Sequence, residues 1–325
     1  MARRMKVLAM TAPMAIVTEE LGARHDLVKL WETPAAEREA ALAAVAPRVE
    51  AIAAGGGHGA IDDALFARLP KLEIVSSFGV GYDHVDAKAA ARRGIVVTHT
   101  PGVLDEEVAD TAMALMLGAT RRLPAAERWL RAGKWKSVGP FPLTASLRGR
   151  TLGILGFGRI GKAIARRAEA HGLMIAYCNR RPVEGVAYPY HPTPVALAAA
   201  CDVLCAVMPG GAATKGIVNE DVFKALGPDG VFVNVGRGSS VDEPALVEAL
   251  ATGAILAAGL DVFAHEPDVP EALLALDNVM LLPHVASASH ATREAMAKLV
   301  IANLDAWAEG RGPLTPVPET PWPRG

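Results

Sequence analysis

The chain has 325 residues, 51% of them hydrophobic, and a net charge of −2 from 33 Lys and Arg against 35 Asp and Glu. Domains average roughly 100–200 residues, so this length predicts two domains, and the hydrophobic content excludes a disordered chain. Because no basic excess is present to neutralise a phosphate backbone, we expect no nucleic-acid partner.

Apolar segments and stretches of helix-forming residues alternate along the first part of the chain. We predict short strands and one helix here, the strands over Lys6–Met10, Leu72–Ser76 and 95–102 and the helix over Thr33–Val45. Residues 74–86 predict a strand followed by a glycine turn and the start of a helix. Apolar residues at helical spacing then predict a long helix over Glu106–Leu123. Such alternation is typical of βαβ units.

The second part of the chain begins with an irregular segment and then alternates again. Residues 124–150 carry two Trp and one Phe without a clear period, and we interpret them as an arm that packs on a second subunit. Six strands are predicted beyond it, at 151–156, 174–179, 203–209, 231–236, 257–263 and 279–284. Helices are predicted over Gly161–His171, Glu243–Ala251 and Ala288–Glu309. This half is therefore expected to form a doubly wound sheet.

The apolar and cysteine content bears on location and on metal binding. No apolar run approaches the ~18 residues that a membrane span needs, so we expect no membrane partner. Lys6 and Pro13 interrupt the first apolar run, which we interpret as a strand instead of a signal peptide. The cysteines, Cys178, Cys201 and Cys205, are few and odd in number, which predicts a reducing, cytoplasmic location. Cys201 and Cys205 lie in an apolar strand pattern, so we expect core residues and no metal site.

One segment fits the G-x-G-x-x-G pattern of dinucleotide-binding proteins, namely Gly156, Phe157, Gly158, Arg159, Ile160 and Gly161. The pattern alone is weak, but here it follows a predicted strand and opens a predicted helix. Its glycines allow a tight turn and the close approach of a pyrophosphate, and the helix N-terminus supplies N–H groups for that anion. The segment therefore predicts a dinucleotide cofactor.

The end of the next predicted strand bears on which dinucleotide is bound. An Asp or Glu about 20 residues beyond the glycines would accept the ribose hydroxyls of NAD. Asn179 stands there instead, followed by Arg180 and Arg181. Two guanidinium groups suit a 2′-phosphate, so we predict that NADPH is preferred over NADH. The alternative is that both arginines are only a solvated charge pair.

Polar residues follow three later strands, in the segments NVGRG, GLDVFAHEP and LLPHVAS. They carry Arg237, Asp261, Glu266 and His284. Ligands bind at the carboxyl ends of strands in open α/β sheets. A cation, a carboxylate and an imidazole at such ends predict a proton-transfer site beside a hydride donor. A lone His after a strand is more often structural, so the prediction depends on the whole set.

Six motifs now identify a resemblance that covers nearly the whole chain: SFGVGYDHVD, HTPGVLDEEVADTA, LGILGFGRIG, NVGRGSSVDEPAL, GLDVFAHEP and LLPHVAS. In their order and spacing they resemble the D-isomer-specific 2-hydroxyacid dehydrogenases, and most of all the glyoxylate/hydroxypyruvate reductase branch. The resemblance implies an α/β fold of two Rossmann-like, doubly wound parallel-sheet domains with the active site in the cleft between them. It implies a substrate-binding domain from 1–99 and 288–325 and an NADP-binding domain over 100–287. The arm at about 124–150 would form a homodimer.

The resemblance also implies a role for each site residue. Arg237 would bind the carboxylate and carbonyl oxygen of a 2-oxo acid, while Glu266 would hydrogen-bond His284 and favour its protonated form. His284 would give a proton to the carbonyl oxygen as the hydride arrives. The backbone of Val80 and Gly81 would hold the substrate carboxylate at a helix start. Asp261 would hold the nicotinamide carboxamide, and further cofactor contacts are implied for Pro209, Thr214, Val235, Gly236 and Ala286.

The expected activity is the reduction of a small 2-oxo acid, such as glyoxylate or hydroxypyruvate, by NADPH to the D-2-hydroxy acid. Two alternatives stay open. One is a bulkier substrate, 2-ketogluconate or an aryl pyruvate, whose side chain would meet a wall near Ala12–Met14 or Trp135 or Phe141 of a second subunit's arm. The other is a non-catalytic protein that senses a dinucleotide. The chain departs from many family members at two positions, where Asp105 stands in place of Thr and Ala286 in place of Gly. Neither departure removes a catalytic group.

Overall fold

The computed structural model describes residues 3–55 and 59–322. It divides the chain into two compact units, the first from Met1–Leu104 and Ser289–Gly325 and the second from Asp105–Ala288. The family resemblance implies the same division, with boundaries at 99 and 287. The carboxyl-terminal segment thus returns to the unit in which the chain begins.

The first unit is built on a parallel sheet with the strand order β2-β1-β3-β4-β5. Its strands are β1 (Lys6–Ala9), β2 (Asp26–Lys29), β3 (Ala51–Ala54), β4 (Ile74–Ser77) and β5 (Val96–Thr98). Its helices are α1 (Ala15–Arg24), α2 (Arg38–Val45), α3 (Asp63–Arg68), α4 (Ala87–Arg92) and the late α13 (His290–Ala308).

Helix α13 covers one face of this sheet. Ala297, Ile301 and Leu304 of the helix share a buried cluster with Ile74 and Val96 of the strands. Burying an aliphatic side chain of this size contributes about 1.5–3 kcal/mol. Packing on the first sheet therefore holds the last helix in the first unit, despite the long sequence separation.

The second unit contains a parallel sheet with the order β12-β11-β10-β9-β6-β7-β8. Its strands are β6 (Thr151–Leu155), β7 (Met174–Cys178), β8 (Tyr190–His191), β9 (Val203–Ala206), β10 (Val231–Asn234), β11 (Ala257–Leu260) and β12 (Val279–Leu281). The chain direction across the sheet reverses between β6 and β9, and ligands of such folds bind beyond the carboxyl ends of the strands at this reversal. The glycine motif directly follows β6.

The helices of the second unit surround its sheet. They are α5 (Asp105–Thr120), α6 (Leu123–Arg131), α7 (Lys134–Ser137), α8 (Arg159–Ala170), α9 (Pro194–Ala198), α10 (Glu220–Leu226), α11 (Glu243–Ala251) and α12 (Glu271–Leu274). No helix among the described residues is long and apolar enough to span a membrane.

The six strands predicted for this unit are confirmed with shorter bounds, whereas two helix predictions and the interpretation of the arm need correction. The helix expected over Thr33–Val45 begins only at Arg38, because a short 3₁₀ turn over Ala35–Glu37 follows Pro34. The helix predicted up to Leu123 ends at Thr120, since Arg122 adopts a left-handed φ of 50°. The arm, expected to be irregular, contains α6 and α7.

Candidate active site

The glycine motif forms the turn between β6 and α8. A Cβ on Gly156, whose φ is 104°, would lie 2.8 Å from the backbone nitrogen of Met208. A Cβ on Gly161 would lie 2.6 Å from the carbonyl oxygen of Gly156. A Cβ on Gly158 would meet no heavy atom within 4 Å. The fold itself thus requires Gly156 and Gly161, whereas Gly158 keeps open the space at the start of α8 that a pyrophosphate needs.

Asn179, at the end of β7, is bonded to this turn. Its side-chain oxygen accepts the N–H of Phe157 at 2.8 Å. The Phe157 ring is buried and packs on Tyr177, with ring centroids 4.8 Å apart. Asn179 thereby fixes the glycine turn, a role that the sequence analysis did not foresee.

Two tyrosine hydroxyls hold the loop that follows Asn179. The hydroxyl of Tyr177 accepts the N–H of Val183 at 3.0 Å, and the hydroxyl of Tyr190 donates to the carbonyl oxygen of Asn179 at 3.2 Å. No sequence motif points to either tyrosine. The one signal in the sequence is their clustering, because Tyr177, Tyr188 and Tyr190 are three of only 4 tyrosines in the chain.

Arg180 and Arg181 lie on the loop that these tyrosines hold. Both side chains are exposed. Neither guanidinium has a hydrogen-bond or ion-pair partner among residues 3–55 and 59–322. Two exposed cations therefore follow the end of β7, on the loop beside the glycine turn.

The other predicted cofactor residues lie on neighbouring loops of the same unit. Two of these loops meet at Met208. A Cβ on Gly236 would lie 2.7 Å from the carbonyl oxygen of Met208, and Gly156 packs on the backbone nitrogen of Met208. Thr214 closes the next turn by donating its hydroxyl to the carbonyl oxygen of Pro209 at 2.9 Å. The remaining predicted residues here are the exposed Arg159, the half-buried Ile160 and the buried Val235 and Ala286.

Asp105 begins α5 and reaches the glycine turn. Its Oδ2 accepts the Nε–H of Arg159 at 2.8 Å. Its Oδ1 is buried and has no hydrogen-bond partner in the described part of the chain. The departure noted in the sequence thus places a carboxylate beside the first residue of α8.

His284 and Glu266 form the centre of the predicted catalytic set. Nδ1 of His284 lies 2.7 Å from Oε2 of Glu266. A carboxylate only accepts hydrogen bonds, so Nδ1 carries the shared hydrogen and Nε2 is left to face a substrate. Nε2 bonds to no residue that the structure describes. His284 also has a φ of 52°, which is rare for a residue other than glycine and clusters at functional sites.

Asp261 holds the backbone on both sides of this strained histidine. Its carbonyl oxygen accepts the N–H of His284 at 2.9 Å. Its carboxylate accepts the N–H groups of Val285 at 2.7 Å and Ala286 at 2.9 Å. Burial raises the pKa of Asp261, although these N–H donors act in the opposite direction. Its main visible contacts are therefore with the His284 turn, a role beyond the cofactor contact that the resemblance implies.

The pKa of Glu266 is held below its ordinary value. Burial acts to raise it, but the hydrogen bonds from His284 and from the N–H of Phe263 and the charges of His284 and Arg237 outweigh that effect. Glu266 is therefore an anion at neutral pH. The positive charge of Arg237 helps to lower the pKa of this carboxylate. Nη1 of Arg237 donates to the carbonyl oxygen of Gly236 at 2.8 Å. The second unit thus unites Arg237, Glu266 and His284.

Val80 and Gly81 belong to the first unit, in the turn after β4. Nδ1 of His99 donates to the carbonyl oxygen of Val80 at 2.8 Å. The N–H groups of Val80 and Gly81 bond to none of the residues described. The helix start predicted at the end of residues 74–86 is confirmed, since Asp86 caps α4, but a helix start at Val80 and Gly81 is wrong because α4 begins only at Ala87. These N–H groups are available to an anion as turn amides, without a helix dipole.

An apolar pocket of about 130 Å³ lies in the same unit. Its lining includes Ala12, Pro13 and Met14, the residues predicted to face a substrate side chain, together with Phe78. Phe78 directly precedes the turn that holds Val80. This volume is several times the ~30 Å³ that one water molecule occupies in the liquid. The pocket therefore has room for a small apolar substituent.

The comparisons with known proteins decide the family. The model of the D-isomer specific 2-hydroxyacid dehydrogenase NAD-binding domain matches residues 113–286. The glyoxylate/hydroxypyruvate reductase A of Arabidopsis thaliana is 46% identical over 311 residues, covering 96% of this chain and 98% of the relative. The chain belongs to the D-isomer-specific 2-hydroxyacid dehydrogenase family. This confirms the resemblance drawn from the six motifs.

Two further members of the family bear on substrate and cofactor. The hydroxyphenylpyruvate reductase of Plectranthus scutellarioides is 45% identical over 311 residues, covering 96% of this chain and 98% of that protein. A crystal structure of the NADPH-dependent glyoxylate/hydroxypyruvate reductase of Sinorhizobium meliloti, in complex with NADP and malonate, matches with a TM-score of 0.90 and 51% identity over 99% of each chain. The family of this oxidoreductase uses a nicotinamide dinucleotide cofactor.

Proposed function

We propose that this dehydrogenase uses NADPH to reduce glyoxylate to glycolate, which is achiral, and hydroxypyruvate to the D-isomer of its 2-hydroxy acid. The observation that carries the proposal is the Glu266–His284 pair, joined at 2.7 Å, with the charge of Arg237 acting on it. The reductase relatives named above support the substrate class. An imidazole that carries a proton and a nearby guanidinium are the groups that a carbonyl reduction requires.

The chain's residues supply everything except the hydride. The bound nicotinamide would provide a hydride for the carbonyl carbon. His284 donates a proton from Nε2 to the oxygen on which negative charge develops, and Arg237 stabilises that charge. Glu266 holds the imidazole in the required tautomer and orientation. We propose that the N–H groups of Val80 and Gly81 bind the substrate carboxylate.

The residues of the second unit fit the cofactor. The space at Gly158 suits the pyrophosphate, because α8 begins at the next residue and N–H groups at a helix N-terminus would bind an anion. Arg180 and Arg181 would bind the 2′-phosphate of NADPH, and Asn179 orders the turn beside them. Further contacts are proposed for Phe157, Arg159, Ile160, Gly161, Gly156, Pro209, Thr214, Val235, Gly236, Asp261 and Ala286.

An aryl pyruvate is the second candidate substrate. The apolar pocket at Ala12–Met14 and the hydroxyphenylpyruvate reductase relative favour it. An apolar lining suits an aromatic side chain better than the hydroxyl-rich side chain of 2-ketogluconate, since buried hydroxyls need hydrogen-bond partners.

A panel of 2-oxo acids with both cofactors tests the proposal. The loss of NADPH absorbance is followed with glyoxylate, hydroxypyruvate, hydroxyphenylpyruvate and 2-ketogluconate. We expect the highest kcat/KM with one of the first two. A higher value with hydroxyphenylpyruvate would favour the second candidate. Tight NADPH binding without turnover of any 2-oxo acid would overturn the proposal and favour a dinucleotide sensor.

We also propose a homodimer formed through the arm. Within the described residues, the arm exposes an apolar set, here named the arm patch: Leu130, Trp135, Val138 and Leu143. Leu143 is fully exposed at 100%. Exposed apolar patches of this kind mark interaction surfaces.

A further inference from the structure

The loop that carries Glu266 is held by a second carboxylate, Glu243. Glu243 is the first residue of α11 and is only 8% exposed. Its Oε1 accepts the N–H of Ala264 at 2.7 Å. The neighbouring N–H, that of Phe263, donates to Oε1 of Glu266 at 3.0 Å. Two consecutive amides of the loop are therefore held by two different carboxylates.

The other side of this peptide rests on Gly238. A Cβ on Gly238 would lie 1.8 Å from the carbonyl carbon of Phe263 and 2.4 Å from the nitrogen of Ala264. The peptide between Phe263 and Ala264 is thus clamped between Gly238 and Glu243. Gly238 directly follows Arg237, so the clamp joins the segment of Arg237 to that of Glu266.

A buried carboxylate at this place needs an explanation, because burying a charge is unfavourable unless it is well bonded. The first turn of α11 offers a favourable helix dipole, and a charge-assisted bond to an N–H is stronger than a neutral one. Glu243 touches neither His284 nor Arg237 in any contact of the described chain. Its effect on the chemistry must therefore pass through the loop.

We propose that Glu243 is a positioning residue, which fixes the Glu266 carboxylate for His284 by holding the peptide of Phe263 and Ala264. This inference rests on the proposed function of His284 as the proton donor. It adds a residue that touches neither substrate nor cofactor but controls the geometry of the proton transfer.

The expected signature is a change in the pH profile. Glu266 is faced by His284, Arg237 and Asp261, and the N–H of Phe263 is one of the donors that keep its pKa low. If the loop loosens, the Glu266 carboxylate no longer keeps its position against Nδ1 of His284, and an anion at a greater distance supports the protonated imidazole less well. The basic limb of kcat/KM for reduction should then move to lower pH.

Three substitutions separate positioning from simple charge. E243A removes the acceptor, E243Q keeps an acceptor oxygen without the charge, and E243D keeps the charge but shortens the side chain by one methylene. We expect E243A and E243D to move the basic limb down by about 0.5–1 unit, roughly a three- to tenfold change in proton affinity. E243Q should stay within about 0.2 unit of the unchanged enzyme. E248A, an exposed change on the same helix, is the matched control.

Two readouts keep this test independent of the proposed function. One is the pH profile of kcat/KM, with the Kd for NADPH expected to stay within about twofold. The other is the NMR titration of the His284 ring in the NADP complex, which needs no turnover. The proposal is overturned if E243Q shifts like E243A while E243D does not, because charge alone would then act. It is also overturned if E243A changes neither the basic limb of the kcat/KM profile nor the NMR titration of the His284 ring. If the enzyme turns over no 2-oxo acid but E243A still shifts the titration of the His284 ring, only the proposed function is contradicted.

Discussion

His284 shows how single residues prepare this site. Its left-handed backbone would be unfavourable in isolation, and Asp261 offsets that cost by accepting three N–H groups around it. The HEP and LLPHVAS motifs predicted the pairing of Glu266 with His284 from sequence. The anchoring by Asp261 could not be predicted, because it depends on the adjacent ends of β11 and β12 in the folded sheet.

The two arginines after β7 yield a prediction on cofactor choice. In R180A/R181A we expect the Kd for NADPH to rise about 10- to 100-fold, which corresponds to the net loss of one hydrogen bond to a charged group, about 1.5–3 kcal/mol. The Kd for NADH, which has no 2′-phosphate, should change less than about twofold. Fluorescence titration of both cofactors measures this. R148A, at the opposite, amino end of β6, is the control, and equal losses for NADPH and NADH would refute the assignment.

Two cysteines of the second unit, Cys201 and Cys205, should be inert. Burial raises the pKa of Cys201 and of Cys205 to about 12. The thiolate is the reactive form, and at pH ~8 it would be about 10⁻⁴ of either thiol. We expect iodoacetamide to leave both unmodified in the folded protein and to label them after denaturation, as counted by mass spectrometry. Rapid labelling of Cys205 in the native state would show that β9 is not a buried strand.

At the scale of elements, the sequence reveals the longer strands of the second unit better than its shortest elements. The strands of the second unit were predictable because long apolar runs alternate with helix formers. The edge strand β8 and helices α6 and α7 were missed, because α7 and β8 are very short and the aromatic residues of the arm follow no period. The tyrosine contacts around Asn179 join residues on different segments, so only the fold brings them together.

The turn from β6 to α8 allows a matched pair of substitutions. G161A forces a methyl to 2.6 Å from the Gly156 carbonyl oxygen, and such overpacking should lower the free energy of unfolding by about 1–3 kcal/mol. G158A places its methyl in open space, so we expect a nearly unchanged Tm but a roughly tenfold higher Kd for NADPH. Thermal unfolding and cofactor titration measure both effects. Unaltered NADPH binding in G158A would show that the pyrophosphate lies elsewhere.

At the scale of the whole molecule, the return of α13 to the first unit separates the chain into two units that linear strand counting does not reveal. The motif resemblance supplied this return, whereas alternation alone suggests two consecutive halves. The cytoplasmic location stays a prediction from the cysteine content.

The arm patch leads to a prediction on assembly. We expect light scattering to give twice the chain mass of 34.0 kDa. L130E/V138E should shift the protein to the monomer, because charged groups at the core of an interface oppose burial. L274E alters an exposed leucine outside the arm and should leave the dimer intact. A monomeric unchanged protein would contradict the arm as an interface.

The proposed proton donor, His284, is the central feature of the whole mechanism, and H284Q tests this assignment most directly. The measurement is kcat for hydroxypyruvate reduction by H284Q, together with its Kd for NADPH. Loss of a general acid typically reduces the rate by about 10²–10⁴-fold, so we expect a fall of that size with the Kd unchanged within about twofold. A variant that binds NADPH normally and keeps a near-normal kcat would contradict the assignment of His284 as the donor.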